Sequence, residues 1–250
     1  MTPLENSLSA FHSISLSEMD NVKLMQRIDT KYVVNVSLLP TILEQLHTTY
    51  RILEIKGNRQ AKYKTLYFDT SNLNDYHTHH RGKANRHKIR MRQYIDSNLY
   101  FLEIKKKNNK GRTTKERISI NQFSNNLADF NDFLERHGIS TKDYNPSLLN
   151  SFSRITLVDT DNPQRITIDT NLTVTHPVKN IHKELKNLAV IEIKQAQRSR
   201  SLFASALKEH HILPKSISKY GIGIAMLYDT VKYNRFKSKL LYLQKITQNQ

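Results

Sequence analysis

The chain contains no cysteine, which excludes a disulfide framework, a thiolate nucleophile and a cysteine-ligated zinc site. It has no long apolar run either: GIGIAML at 221–227 falls far short of the roughly 20 residues that span a bilayer. The opening stretch, MTPLENSLSAFHSISLSEMD, lacks a basic region followed by a continuous apolar one, so no secretory signal is expected. A soluble, cytoplasmic protein is the resulting expectation. Proline and glycine number 6 each, and no linker rich in either, internal repeat or low-complexity tract divides the 250 residues, so one domain is expected. Acidic residues are also scarce, with 22 Asp and Glu against 39 Lys and Arg, a net charge of +17. That imbalance predicts an anionic partner: nucleic acid, an acidic membrane surface or a phosphate-rich substrate. Hydrophobic content is low at 38%, yet the aliphatic residues fall in periodic runs, which argues against disorder.

What the chain has in abundance is strands with one charged and one aliphatic face. In His87–Tyr94, Lys88, Arg90 and Arg92 alternate with Ile89 and Met91. In Phe101–Lys107, Glu103, Lys105 and Lys107 alternate with Leu102 and Ile104, and in Ala189–Lys194, Glu192 and Lys194 alternate with Ile191 and Ile193. Side chains change face at every strand residue, so each segment sorts its charges to one side. Further strands are expected at 31–36, 50–55, 63–68, 113–120, 153–158, 165–169 and 172–176, with helices at 4–25, 38–48, 126–136, 201–210, 216–228 and 234–246. Ser17, Asp20 and Ser37 are candidate helix caps, and Gly138 a helix stop. This order predicts an α+β fold: an antiparallel β-barrel tunnel, charged inside, with helices packed outside and at both chain ends.

Single charged strand faces usually meet solvent. Here they recur as Arg27/Asp29/Lys31, Lys88/Arg90/Arg92, Glu103/Lys105, Lys115/Arg117, Arg154, Arg165/Asp169 and Glu192/Lys194. Like charges on neighbouring strands repel unless an anion lies between them. Arginine offers bidentate forks to phosphate and lysine a point charge. Carboxylates in a cationic tunnel suit a divalent cation that bridges phosphates.

The ordered segments RIDTKYVV (27–34), TLYFDT (65–70), HKIRMRQY (87–94), FLEIKKK (101–107), KERISI (115–120), RITID (165–169), VIEIKQ (190–195) and SKYGIG (218–223) resemble the VTC domain. This is the catalytic polyphosphate polymerase domain of the vacuolar transporter chaperone family, within the CYTH/triphosphate tunnel superfamily. The resemblance runs from about Arg27 to Asn234. It implies an antiparallel β-tunnel that transfers the γ-phosphate of ATP to a growing polyphosphate chain, with a divalent metal, manganese or magnesium. It matches Lys31, Arg90, Arg92, Lys105, Lys115, Arg154, Arg165 and Lys219 to the family's phosphate-binding residues. Of these, Lys105, Arg90, Arg92 and Lys219 are expected to serve catalysis. Lys88 and Lys194, which share the charged strand faces, and Ser218, beside Lys219, are expected to add to substrate binding. Glu192 matches the family's metal-ligand glutamate, and Glu103 lines the same lumen as a second metal candidate. An open-ended tunnel is expected to let the product leave. ATP and polyphosphate are the expected partners, and a separate membrane protein would be needed for any membrane association.

One departure separates the chain from hydrolytic and cyclising relatives, which open on Glu-x-Glu-x-Lys. Here the strand reads Arg27-x-Asp29-x-Lys31, exchanging a metal ligand for a phosphate ligand. The rival readings are a tunnel-fold triphosphatase or nucleotide cyclase, and a non-catalytic polyphosphate sensor. A nucleic-acid surface is disfavoured, because aromatics are not interleaved with the cations as a base-stacking platform requires. His77, His79 and His80 show no metal-ligand partner at a recognisable spacing and are read as structural. Asn108–Arg112 lacks the pattern of a P-loop, and Tyr220-Gly-Ile-Gly223 reads as close helix packing.

Overall fold

The structure, a computed structural model, describes residues 2–20, 28–110, 112–179, 181–196 and 201–248. The strands are β1 (Ser13–Ile14), β2 (Ile28–Asn35), β3 (Arg51–Leu53), β4 (Ala61–Thr70), β5 (Arg86–Tyr94), β6 (Leu99–Lys107), β7 (Thr113–Ile120), β8 (Tyr144–Asp159), β9 (Gln164–Thr175), β10 (His182–Leu185) and β11 (Leu188–Gln195). The helices are α1 (Pro3–Ser9), α2 (Leu16–Asp20), α3 (Leu39–Glu44), α4 (Asn74–His80), α5 (Asn131–Glu135), α6 (Leu202–Glu209), α7 (Lys219–Leu227) and α8 (Asn234–Gln248). All strands join one 11-stranded sheet, whose main path runs β2-β11-β9-β8-β4-β5-β6-β7. Every pairing on that path is antiparallel; β1 and β3, off the path, pair in parallel. Among the described residues no ladder joins β7 to β2, so hydrogen bonds do not close the barrel. The sheet curls instead: Lys105 on β6 lies in the fields of Lys31 on β2 and Glu192 on β11.

Aliphatic outer faces explain where the helices go. Tyr32, Val34, Ile155, Leu157, Ile166, Ile168, Ile191 and Ile193 pack under α1, α3 and α6. On the other wall Leu66, Ile89, Met91, Leu102 and Ile104 pack under Phe133 and Leu134 of α5. A third core lies on the inner face at one end, where Val33, Tyr67, Leu148, Val174 and Val190 receive Tyr220, Ile222, Ile224 and Leu227 of α7. This helix lies very close to the sheet: a Cβ on Gly223 would stand 2.7 Å from Leu148 Cδ2. Glycine is therefore what lets α7 enter, as the close-packing reading of Tyr220–Gly223 requires. At that end α7 lies on the inner face of the wall made by β2, β11, β9, β8 and β4.

Several boundaries differ from expectation for local reasons. β8 begins nine residues before Ser153, because Pro146 sits in the strand at a register shift between Tyr67 and Phe68 rather than ending it. The two strands expected at 165–169 and 172–176 are one, with the positive φ of Asn171 (52°) accommodated inside it. The polar segment of α4 shows no apolar periodicity; the buried Asp69 carboxylate starts the helix by accepting from Asp75 N and Tyr76 N, both at 2.9 Å. Thr2 and Ser15, not Ser17 or Asp20, cap the first two helices, and Asn35 rather than Ser37 caps the turn after β2. The end of the 4–25 segment lies outside the described residues. No helix among the described residues is long and apolar enough to cross a membrane.

Candidate functional site

Register converts the alternation into an array. Across β5, β6 and β7, Lys88, Lys105 and Lys115 stand abreast; Arg90, Glu103 and Arg117 form the next row. Arg92 and Phe101 lead the third. On the opposite wall Glu192 lies between Lys31 and Thr167, Lys194 between Asp29 and Arg165, and Arg154 opposite Asp169. Directly opposed residues share a face, so these positions all lie on the inner face of the curl. Ser218 and Lys219 arrive separately, from the start of α7. The sequence-predicted residues thus converge on one lumen, apart from Arg27, which lies outside the described residues, and Arg165, which turns to the rim and donates to Met19 O at 3.3 Å.

Three carboxylates organise the cations. Glu103 is 1% exposed; Arg90 Nε donates to it at 2.6 Å, Lys115 Nζ stands 2.5 Å away and Arg92 3.9 Å. Burial alone would raise this carboxyl, but Arg90, Arg92 and Lys115 outweigh burial and hold it at about 2. Asp169 takes a bidentate fork from Arg154, at 2.6 and 2.8 Å, and an ion pair from Lys219. Burial again opposes ionisation, and the two cations win, keeping Asp169 well below the carboxylate range. Glu192 pairs with Lys31 at 3.0 Å and with Lys194, but its side chain is 18% exposed. It too is held ionised against burial, by Lys194 and Lys31.

The lysine row has no such hub at its centre. Lys105 makes no hydrogen bond or ion pair among the described residues, and burial with Lys31 and Arg90 nearby lowers its affinity for a proton. Burial, then the fields of Lys105, Arg90, Arg86 and Lys31, push Lys88 down to about 7. Its Nζ donates to Ser218 Oγ at 2.9 Å. That hydroxyl oxygen also accepts from Gly221 N at 3.2 Å, so Ser218 both caps α7 and ties it to the lysine row. Backbone N–H groups at this helix start and the side chains of Lys88, Lys105 and Lys219 suit phosphate oxygens.

Charge-based reading missed the neutral lining. Asp169 was visible as a lumen residue but not as the hub for Arg154 and Lys219. Tyr67 accepts from Arg90 at 3.3 Å, Thr65 from Arg92 at 3.4 Å, and Asn150, 1% exposed, stands opposite Thr65. Period two in β4 and β8 carried that signal, but hydroxyl and aromatic residues do not announce a phosphate site. The histidines of α4 pack instead: His79 and His80 lie 5.6 and 5.4 Å from the Phe236 ring.

Among the described residues no three His, Cys, Asp or Glu side chains gather as a metal cage. A divalent cation held by one carboxylate, substrate phosphates and water needs no such cage. Glu192 fits that role, being ionised and reachable from solvent. Glu103 does not: it is sealed among three cations.

Comparison with known proteins places this geometry. The sequence profile of the VTC domain matches residues 26–228. No curated protein matches the chain. Among solved structures, a candidate adenylate cyclase from Bacillus halodurans superposes with TM-score 0.53 at 14% identity, covering 82% of this chain and 98% of its own. A candidate adenylyl cyclase from Hippeastrum, with a dominant triphosphatase activity, superposes with TM-score 0.51 at 16% identity, covering 80% and 96%. At these identities the likeness concerns the fold, that of the triphosphate tunnel proteins.

Proposed function

The chain belongs to the VTC domain family, and on that footing we propose that it is a polyphosphate polymerase. Its substrates in this reading are ATP and a polyphosphate chain. The observation that carries it is a row of lysines without a counter-charge at its centre, facing the solvent-reachable Glu192 across one lumen.

Phosphoryl transfer asks the protein for positioning and charge neutralisation rather than a covalent nucleophile. Lys105, Lys88, Arg92 and Lys219 would hold the triphosphate, and Lys31, Lys115, Lys194 and Arg154 the chain. An oxygen of the terminal chain phosphate attacks the γ-phosphorus. The bond from that phosphorus to the β–γ bridging oxygen breaks, its electron pair stays on oxygen, and ADP leaves. Manganese or magnesium on Glu192 would supply charge neutralisation at the phosphates. Arg90 acts through Glu103, which fixes its guanidinium toward the lumen. The sequence Arg27-x-Asp29-x-Lys31 supports transfer over hydrolysis, since it carries one fewer carboxylate than Glu-x-Glu-x-Lys.

The test is purified protein with ATP and manganese, products resolved by length, beside Glu192→Ala. Polymer from the wild type alone is expected. Phosphate release without polymer would replace this reading with the triphosphatase, an activity the Hippeastrum protein has. Tight polyphosphate binding without turnover would make the protein a sensor.

A further inference from the structure

The cationic array does not stop at the lumen. Two residues beyond Lys88 and Lys105, about 7 Å along the strands, Arg86 and Lys107 oppose each other on the same face. They open into a surface cleft of about 370 Å³, lined also by His87, Lys106, Asn108 and Arg112. Among the described residues no carboxylate lines this cleft. Asp75 stands behind it, 3.2 Å from His87 Nε2, and Lys106 donates to His137 O. Arg86, Lys107 and Arg112 have no acidic partner among the described residues. In the lumen, by contrast, every acidic hub gathers two or three cations. The cleft lies at the lumen end where α7 packs on one wall, beside the Lys88–Ser218 contact. A chain growing past α7 therefore meets these charges as it leaves.

We infer that this cleft is a second polyphosphate-binding site, which holds the segment of chain emerging from the lumen. The inference rests on the lumen binding a phosphate chain. The occupant is a linear phosphate polymer rather than a nucleic acid, because the cleft offers cations and amides but no free aromatic face. Its one ring, His87, is bonded to Tyr144 Oη at 2.6 Å. Two contiguous cationic sites on one polymer act as a bivalent grip, so affinity rises with chain length without any change in the lumen.

The experiment compares binding of tripolyphosphate and long-chain polyphosphate to the wild type and to Arg86→Gln/Lys107→Gln/Arg112→Gln. Removing the grip is expected to weaken long-chain binding by about tenfold or more and leave tripolyphosphate binding within about twofold. Any polymer the variant makes should be shorter than that of the wild type. Arg86→Lys/Arg112→Lys, which keeps the charge, should bind like the wild type, and thermal unfolding of each variant checks the fold. Unchanged long-chain affinity in the neutral variant would overturn the cleft while leaving the lumen intact. Equal weakening for both ligands would also overturn it, showing only a diffuse field. Single-stranded RNA that binds the wild type but not the neutral variant, and displaces the polymer, would make this a nucleic-acid site instead. Failure of the wild type to bind either phosphate ligand would refute the lumen reading itself.

Discussion

Two adjacent rows of the β5–β6–β7 ribbon, each flanked by cations, differ at the centre and come to opposite ends. In one, Arg90 and Arg117 flank Glu103; in the other, Lys88 and Lys115 flank Lys105. The first row is settled before any ligand arrives. Glu103 is sealed, ionised and ion-paired, and Arg117 stacks 4.5 Å above the Phe101 ring. The second row is unsettled: Lys105 has no ion pair among the described residues and feels Glu192 and Asp29 only at a distance, Lys88 is driven towards neutrality, and Lys115 reaches across to Glu103 of the neighbouring row. A buried charge with partners is scaffold, and one without them stores an affinity for whatever anion completes it. The difference is one residue wide, and it separates residues that shape the lumen from residues that grip.

Exchanging the centre of each row should break this contrast in opposite ways. Glu103→Gln leaves Arg90, Arg92 and Lys115 facing one another, and removing one partner of a buried ion pair costs about 3–5 kcal/mol. The loss should be read in denaturant unfolding; a change below about 1 kcal/mol would show that the hub is not structural. Its pH dependence has a definite sign. The folded carboxyl sits near 2, below its unfolded value, so its stabilisation is complete above about pH 4.5 and fades as pH falls toward 2. Lys105→Ala should do the reverse. Activity should fall by about 10²–10³-fold, as when one donor to a developing anion is removed, while stability holds or rises because a repulsive charge is gone. Full turnover in the folded variant would end the assignment of Lys105 to the phosphates.

How much of this was legible beforehand follows from the same physics. Period-two alternation marks which side of a strand a lysine occupies, so Lys31, Arg90, Lys105, Glu192 and their neighbours could be collected into one lumen from the sequence. Register cannot be read that way. Nothing in FLEIKKK indicates that Glu103 rather than Lys105 stands opposite Arg90, yet that choice makes one row scaffold and the other site. Long-range partners were equally hidden: Asp169 meets Lys219, 50 positions away, only because α7 enters the sheet over Gly223. The helix itself was visible in its apolar run, but its place inside the curl depends on tertiary packing. Neutral polar residues such as Asn150 and Thr65 carry no charge by which alternation could mark them as lumen residues.

The subtlest consequence of the contrast concerns protons. Lys88 sits near 7, depressed by burial and by Lys105, Arg90, Arg86 and Lys31, so near neutral pH it is partly uncharged. Its unfolded value lies above 10, so between about 7 and 10 the unfolded chain binds more protons and this group's contribution to stability rises with pH. A phosphate chain in the lumen supplies the missing negative field and favours the charged form. Binding should therefore draw about half a proton onto Lys88 at pH 7 and nearly one onto it by pH 8.5, with affinity falling as pH rises through that range. Calorimetry in buffers of different ionisation enthalpy measures the uptake. Lys88→Arg keeps the charge but cannot titrate in this range, so the component centred near 7 should vanish while binding persists. The remaining uptake should then centre on Lys115, held at about 8. Undiminished uptake in Lys88→Arg would show that the proton goes elsewhere and that the lysine row is already charged without its ligand.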